Sequence, residues 1–301
     1  MVNLGVDLGN GYVKFRGKKF ASRIKLGRVA NFGKKREDIY QVNYNGIDYV
    51  VGDGEYFTTG NRYFTDDYKI SLLTSVALSS KDPVIDVNIC VGLPIIKYMS
   101  EVKDKFEKYL NNLNVEKIKV NNEEKIINIK SAVVFVEGAL VVLTKDNQSI
   151  LTIDIGAGTV NIIQWENQEP VKFDTKDKSF YNLYSKIAKH LRDTGRGSVS
   201  SEYIEKHLGE DEIIINQKKV DIRDTHKIIE KHVTELASEI ESYFDISNVS
   251  KIKLMGGGAL PTFKYWKEIY NDGVELVDDS QFINSKIYDK VLEMSAVADE
   301  K

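Results

Sequence analysis

The chain has 301 residues, 42% of them hydrophobic and 29% charged, with a formal net charge of −3. That length can bury one large core or two medium ones, and two domains is the softer expectation. No half of the chain is strongly basic, so a direct grip on a nucleic-acid backbone is not expected, and the short run Lys34-Lys35-Arg36 reads as a solvated loop.

Residues 2–8 and 11–15 read as strands around a glycine turn. The stretch 40–51 is a hairpin, because Asn45-Gly46 supplies the positive φ of a type I′ turn. Residues 53–69, rich in Gly, Thr and Asp, look like a surface loop, and a helix follows near 69–80. Val84 to Leu93 is a buried strand ended by Gly92-Leu93-Pro94. In 95–113 the apolar residues Ile96, Met99, Val102, Phe106 and Leu110 repeat at three or four, which predicts one helix. A second hairpin turns at Asn121-Asn122 within 115–129, residues 132–136 form a strand, and Glu137-Gly138 opens a short apolar helix through Leu143. The plan then repeats. Strands are expected at 150–155, 159–165 and 170–174, helices at 179–193 and 199–208, and a small hairpin at 212–221. A long helix over 223–244 carries the stripe Ile229, Val233, Leu236, Ile240 and Tyr243, which reads as core. Ile252 to Met255 is a strand running into Gly256-Gly257-Gly258. A helix from Leu260, a strand at 274–277 and a terminal helix from near Ser280 complete the chain. Strands alternating with helices argue for an α/β fold with mixed sheets.

One short motif occurs twice in this order. The first copy is Gly5-Val6-Asp7-Leu8-Gly9-Asn10-Gly11, followed by Tyr12-Val13-Lys14. The second is Leu151-Thr152-Ile153-Asp154-Ile155-Gly156-Ala157-Gly158-Thr159. Each is an apolar strand, an Asp, a glycine turn and a second apolar strand. Backbone N–H groups in such a turn can converge on an anion, because no Cβ blocks the approach. The Asp at the strand end can hold Mg2+ through water. Two hairpins of this kind would clamp a nucleoside triphosphate between the halves of a duplicated fold. Three further signals sit where that ligand needs them. Gly256 to Gly258 lie between a strand and a helix, where bare backbone can receive a base and ribose and the helix N-terminus favours a phosphate. Lys14 can point back at the phosphates from the second strand of the first hairpin. Glu137, straight after an apolar strand, can orient a water for in-line attack on a γ-phosphate.

A single cysteine, Cys90, excludes an internal disulfide and a cysteine-based metal cluster, and reads as a buried strand residue. The four histidines stand at no metal spacing. No signal-peptide pattern opens the chain and no apolar run approaches the ~18 residues of a membrane span, so a cytoplasmic protein without membrane contact is expected.

The order of phosphate hairpin, connecting Glu, second phosphate hairpin, glycine loop and terminal helix resembles the actin, sugar kinase and heat-shock ATPase superfamily. Within it the chain is similar to bacterial actin-like plasmid-segregation proteins of the ParM/StbA type. The pieces that carry the resemblance are Val91-Gly92-Leu93-Pro94, Val136-Glu137-Gly138, Leu151 to Gly156, Arg192-Asp193-Thr194-Gly195-Arg196-Gly197-Ser198 and Leu254-Met255-Gly256-Gly257-Gly258-Ala259. The resemblance implies an actin-like fold of two duplicated α/β domains with mixed five-stranded sheets around a nucleotide cleft. Residues 1–143 with 280–301 would form domain I and 144–279 domain II. It implies ATP or GTP with Mg2+ as cofactors, with Asp7 and Asp154 organising the metal and its waters. Gly9, Asn10, Gly11, Lys14, Gly156, Ala157, Gly158 and Thr159 would surround the phosphates, and Glu137 would place the attacking water. Gly256, Gly257 and Gly258 would receive base and sugar, and Glu205 and Lys206 match a ribose-contacting stretch. The implied function is a filament-forming ATPase whose polymers move plasmid DNA through a ParR-like adaptor, so the partners are copies of itself and that adaptor, with no direct nucleic-acid contact. A small-molecule kinase of the same superfamily is the alternative, but the chain carries neither a substrate-binding insert nor a cysteine-rich zinc loop. In one place the pattern departs from the family: the closing helix Phe282 to Asp289 lacks the small Ala and Gly expected at its contact, and Tyr288 is bulky there.

Overall fold

A computed structural model describes residues 1–29, 38–56, 62–144, 148–178 and 180–299. The chain divides into two compact units, Met1–Lys145 with Phe282–Lys301, and Asp146–Gln281. The first begins with β1 (Val2–Leu8), β2 (Tyr12–Phe15), β3 (Lys18–Ala21), β4 (Arg23–Leu26), β5 (Tyr40–Tyr44), β6 (Ile47–Val51) and β7 (Glu55–Tyr56). It continues through α1 (Asp66–Ser79), β8 (Val84–Leu93), α2 (Ile95–Tyr98), α3 (Val102–Asn111), β9 (Val115–Val120), β10 (Glu123–Val136) and α4 (Val141–Thr144). The second holds β11 (Ile150–Ile155), β12 (Val160–Glu166), β13 (Glu169–Lys176), α5 (Phe180–Asp193), α6 (Ser201–Lys206), β14 (Glu212–Ile215), β15 (Lys218–Asp221), α7 (His226–Tyr243), β16 (Lys251–Met255), α8 (Ala259–Tyr270) and β17 (Val274–Leu276). The last helix, α9 (Ile283–Asp299), belongs to the first unit.

Duplication is visible in the sheets. The first runs β3-β2-β1-β8-β10 and the second β13-β12-β11-β16-β17. In both, an antiparallel meander of three strands is followed by two parallel ones. The central strands are buried on both faces, which is why they read as unbroken apolar runs: all six residues of β11 are buried, as are the last five of β8. The expected five-stranded plan is complete in the second unit. In the first it is extended by β9-β5-β6-β4-β7 into a ten-stranded sheet. Each unit has its own apolar core.

Several elements differ from the sequence reading for local reasons. The helix expected over 95–113 is two helices. Ser100 Oγ accepts from Val102 N at 3.3 Å, starting a new helix and leaving Ile96 and Met99 exposed. The strands expected at 123–129 and 132–136 are one strand, β10, whose register shifts between Ile129 and Ser131. The stretch 53–69 is not a surface loop throughout: a 3-10 turn at Arg62–Phe64 buries Arg62 and Tyr63, and α1 begins at Asp66, capped by the Thr65 side chain. Residues 57–61 and the run Lys34-Lys35-Arg36 lie outside the described residues. Glu137 does not begin a helix. It precedes a turn at Gly138, whose φ is +86°, and α4 starts at Val141. Tyr243 leaves the α7 stripe and is exposed.

The bulk of Tyr288 is accommodated from the sheet side. Gly5 of β1 and Gly92 of β8 supply the missing small residues. A Cβ on Gly92 would meet the Tyr288 hydroxyl and lie 2.6 Å from its Cζ, and one on Gly5 would lie 2.6 Å from Asp289 N and 2.8 Å from Tyr288 Cβ. Tyr288 is fully buried. Gly5 N donates to Asp289 Oδ1 at 2.6 Å, and Gly138 N donates to Asn284 Oδ1 at 3.1 Å. Gly92→Ala should therefore cost about 1–3 kcal/mol through overpacking. Because the hydroxyl is the nearest atom, Tyr288→Phe should return part of that loss in the double variant. Thermal or urea unfolding of the four proteins measures both effects; a Gly92→Ala chain as stable as the parent would contradict this packing.

Candidate functional site

The two Asp-glycine hairpins share one backbone design. In the first, Asp7 pairs with Lys14 and Leu8 with Val13, leaving Gly9 to Tyr12 as a four-residue loop. In the second, Asp154 pairs with Asn161 and Ile155 with Val160, leaving Gly156 to Thr159. The match extends to atoms. A Cβ on Gly9 would lie 3.1 Å from the carbonyl oxygen of Tyr12, and one on Gly156 would lie 2.8 Å from that of Thr159. In both loops the first position is thus tight against a carbonyl three residues on, so glycine suits it sterically.

What surrounds the loops differs. Asp7 and Lys14 are buried and joined by an ion pair of 2.7 Å, and Lys14 Nζ lies beside Gly9. Asn161, the counterpart of Lys14, is buried and accepts from Thr175 Oγ at 2.9 Å. The carbonyls of loop one are held by side chains and neighbouring backbone. Ser22 Oγ donates to Gly9 O at 2.6 Å and Ser22 N to Gly11 O at 2.9 Å. Arg62 donates to the carbonyls of Leu8 and Gly9 and to the side chain of Asn10. Loop two is held by backbone: Tyr181 N at the start of α5 donates to Ala157 O at 3.1 Å, and Gly156 N to Thr159 O at 2.9 Å.

Arg62 is the residue that sequence reasoning missed. It is 5% exposed, and its guanidinium lies 5.7 Å from the ring centres of Tyr63 and Tyr68. The only local signal was an Arg followed by two aromatic residues, Tyr63 and Phe64, ahead of the Thr65 cap. Around the same rings stand Lys97, 4.6 Å over Tyr63, and Glu137. Burial pushes the Tyr63 phenol well up, and the Glu137 charge adds to that while Arg62 opposes it. The Lys97 ammonium is pushed down, first by burial and then by Arg62, against the pull of Glu137. The Glu137 backbone N–H donates to Leu93 O at 2.9 Å, and its Cγ would lie 3.0 Å from a Cβ on Gly92. Within the first unit, then, Asp7, Lys14, Gly9, Asn10 and Gly11 are gathered at the hairpin, with Glu137 close enough to act electrostatically on Tyr68 as Asp7 does.

In the second unit Gly256 adopts φ +87°, and a Cβ there would meet Asp154 Oδ1 and lie 2.6 Å from Ile155 O. A Cβ on Gly258 would lie 2.5 Å from the Phe180 ring and 2.6 Å from Ile155 Cγ2. Both glycines are thus required by the fold, and they bring the triple-glycine turn against the Asp154 strand. Gly257 is exposed, and a Cβ there would make only an ordinary contact, with Gln281 Nε2 at 3.8 Å. Glu205 and Lys206 stand on α6, which packs on α5; Glu205 is half-buried and Lys206 exposed. The motif Arg192 to Ser198 has a structural task. Arg196 donates both Nη groups to Asp224 at 2.6 Å and Nη1 to Asp221 O at 3.0 Å, fixing the turn after α5 to the start of α7.

Among the described residues no group of three or more His, Cys, Asp or Glu could hold a metal ion, so a Mg2+ here would depend on oxygens of a ligand as well as Asp7 or Asp154. No helix among them is long and apolar enough to cross a membrane. Each hairpin loop thus opens on a glycine and has carbonyls held from outside or across the loop, at Gly9 and Gly11 in the first and at Ala157 and Thr159 in the second.

Comparison with known proteins agrees with this architecture. The model of the N-terminal domain of actin-like proteins matches residues 5–139, and that of the C-terminal domain of the archaeal MreB-like actin homologue matches residues 152–264. No curated protein sequence matches the chain. Among solved structures, apo ParM of pSK41 is 24% identical over 99% of both chains, with a TM-score of 0.72. An archaeal actin homologue in complex with ADP is 18% identical over 98% of this chain and 100% of its own, with a TM-score of 0.79. The subunit of a 15-stranded ParM filament from Clostridium botulinum is 18% identical over 97% and 99%, with a TM-score of 0.80. At these identities the solved structures speak for the fold, and the two family models, one in each unit, place the chain among the actin-like proteins.

Proposed function

We propose that the chain is a nucleotide-dependent, filament-forming actin-like ATPase, with residues 1–143 and 280–301 as domain I and 144–279 as domain II. The observation that carries this reading is the repeated loop: the same register, length and carbonyl-crowded first glycine in two units. The similar fold in a filament subunit and in an ADP-bound homologue supports polymerisation and nucleotide binding. The finer reading is plasmid DNA segregation through a ParR-like adaptor, supported by the likeness to ParM. The net charge of −3 suits an indirect hold on DNA.

ATP or GTP with Mg2+ would supply the scissile phosphoanhydride and part of its charge neutralisation. The N–H groups of Gly9 to Gly11 and of Ala157 to Thr159 would bind phosphate oxygens, with Gly156 closing the second turn through its own bond to Thr159 O, and Lys14 would add a positive charge beside the first loop. Asp7 and Asp154 would hold waters of the metal. Gly257 lets the base and ribose lie against backbone, with Gly256 and Gly258 shaping that turn and Glu205 and Lys206 facing the sugar. Glu137, fixed at Leu93 and beside the Gly138 turn bonded to Asn284, would orient the attacking water.

Glu137→Ala should lower nucleotide hydrolysis by ~10²–10⁴-fold, the size of a lost general base, while affinity stays within a few-fold. Its filaments should form on ATP or GTP and persist. Phosphate release, nucleotide affinity and polymer lifetime together test this, and loss of binding in Glu137→Ala would refute the assignment. Asp154→Ala should instead weaken Mg2+-dependent binding, seen as an affinity that no longer responds to added Mg2+. In the parent chain, hydrolysis per subunit should rise steeply with protein concentration, because Glu137 alone is a sparse catalytic set and assembly must complete it. A per-subunit rate that stays flat while light scattering reports polymer would count against hydrolysis coupled to filaments.

A further inference from the structure

We infer that Arg62, with Ser22, is a positioning residue that aims the N–H groups of the first phosphate loop; this rests on the nucleotide reading above. A trans peptide points its C=O and its N–H in opposite directions. Arg62 takes the carbonyls of Leu8 and Gly9, and Ser22 takes those of Gly9 and Gly11. The N–H groups of the same peptides, those of Gly9, Asn10 and Tyr12, are thereby turned the other way. Arg62 also holds the Asn10 side chain, so the residue at the loop tip is fixed through both backbone and side chain.

Sterics alone do not dictate this arrangement. The second loop has the same length and register, yet Ile155 O, the counterpart of Leu8 O, is held by the backbone N–H of Gly258 at 2.9 Å, and Ala157 O by that of Tyr181. In the first unit that task falls to a cation brought from 52 to 54 residues away in sequence. A guanidinium can engage several acceptors at once through its planar fork of donors, which an ammonium cannot. Its charge also stands behind the loop, where it strengthens the loop's positive field at a phosphate. The tilted and edge-on packing of Tyr63 and Tyr68 on each other and on Phe106 keeps the wall beside the guanidinium in place.

The test compares the parent, Arg62→Gln, Arg62→Lys and Ser22→Ala for binding of ADP or GDP, whichever binds the parent, and of the matching nucleoside. Only the diphosphate touches the loop. Arg62→Gln should weaken the diphosphate by about tenfold or more, the effect of losing hydrogen bonds from a charged donor, and leave the nucleoside unchanged. Arg62→Lys should fall between, and Ser22→Ala, which removes one hydroxyl, should weaken the diphosphate by less in the same direction. If diphosphate and nucleoside weaken equally, Arg62 only supports the fold and the inference is overturned. It is also overturned if Ser22→Ala and Arg62→Lys both bind the diphosphate as the parent does. A parent that binds neither diphosphate would sink the nucleotide reading and this inference together, whereas variants that match a binding parent sink this inference alone.

Discussion

The closure of α9 on the glycines of β1 and β8 is the constraint on which the first unit depends. Tyr288 fills the space that side chains at positions 5 and 92 would need, and the Asp289 carboxylate takes the N–H of Gly5. Burial pushes the Asp289 carboxyl up, while the bond from Gly5 holds it down. One face of α9, through Asn284, Tyr288 and Asp289, therefore reaches the first strand, the central strand and the turn that carries Glu137. A segment from the end of the chain completes a unit built from its beginning. Contacts of that sequence separation form late, because the whole intervening chain must first be closed into a loop.

Glu137 shows how this packing reaches the candidate site. Its position is set by the β10–β8 pairing, which places Val136 opposite Leu93, and by the Asn284 bond at Gly138. The residue therefore owes its place to a parallel strand pair and a C-terminal helix, and nothing within the local sequence determines it. A helix start at Glu137 was a reasonable expectation from the apolar run that follows, but Gly138 at positive φ interposes a turn and postpones the helix to Val141.

What the sequence made legible was local. The Asn45-Gly46 and Asn121-Asn122 turns appear with positive φ at both residues, as their hairpins require. The two Asp-glycine motifs fall at strand-loop-strand hairpins because strand, turn and strand are contiguous. The expectation of a bulky misfit at Tyr288 looked only at the helix, and the small residues it sought were on the strands opposite. The single helix over 95–113 came from apolar spacing, which does not register a Ser100 side chain competing for the backbone. Arg62 escaped for the same reason at longer range. Its partners are carbonyls of Leu8 and Gly9, and a backbone acceptor leaves no signature in side-chain sequence.

The two units are alike in backbone and unlike in charge. At the cross-strand position opposite the Asp, one has Lys14 and the other Asn161. Around Tyr63 and Tyr68 the first unit gathers two cations, Arg62 and Lys97, with the carboxylates of Asp7 and Glu137, and Lys14 stands paired to Asp7. Charges this buried act through a lower effective dielectric than those at a surface, so each weighs more on its neighbours. Lys97 is pushed down first by its burial and then by the Arg62 charge. An anion at the first loop would relieve the repulsion between those cations, whereas the cross-strand position beside the second holds the neutral Asn161. The hairpin shape is therefore kept in both halves, while the charges around it differ between them.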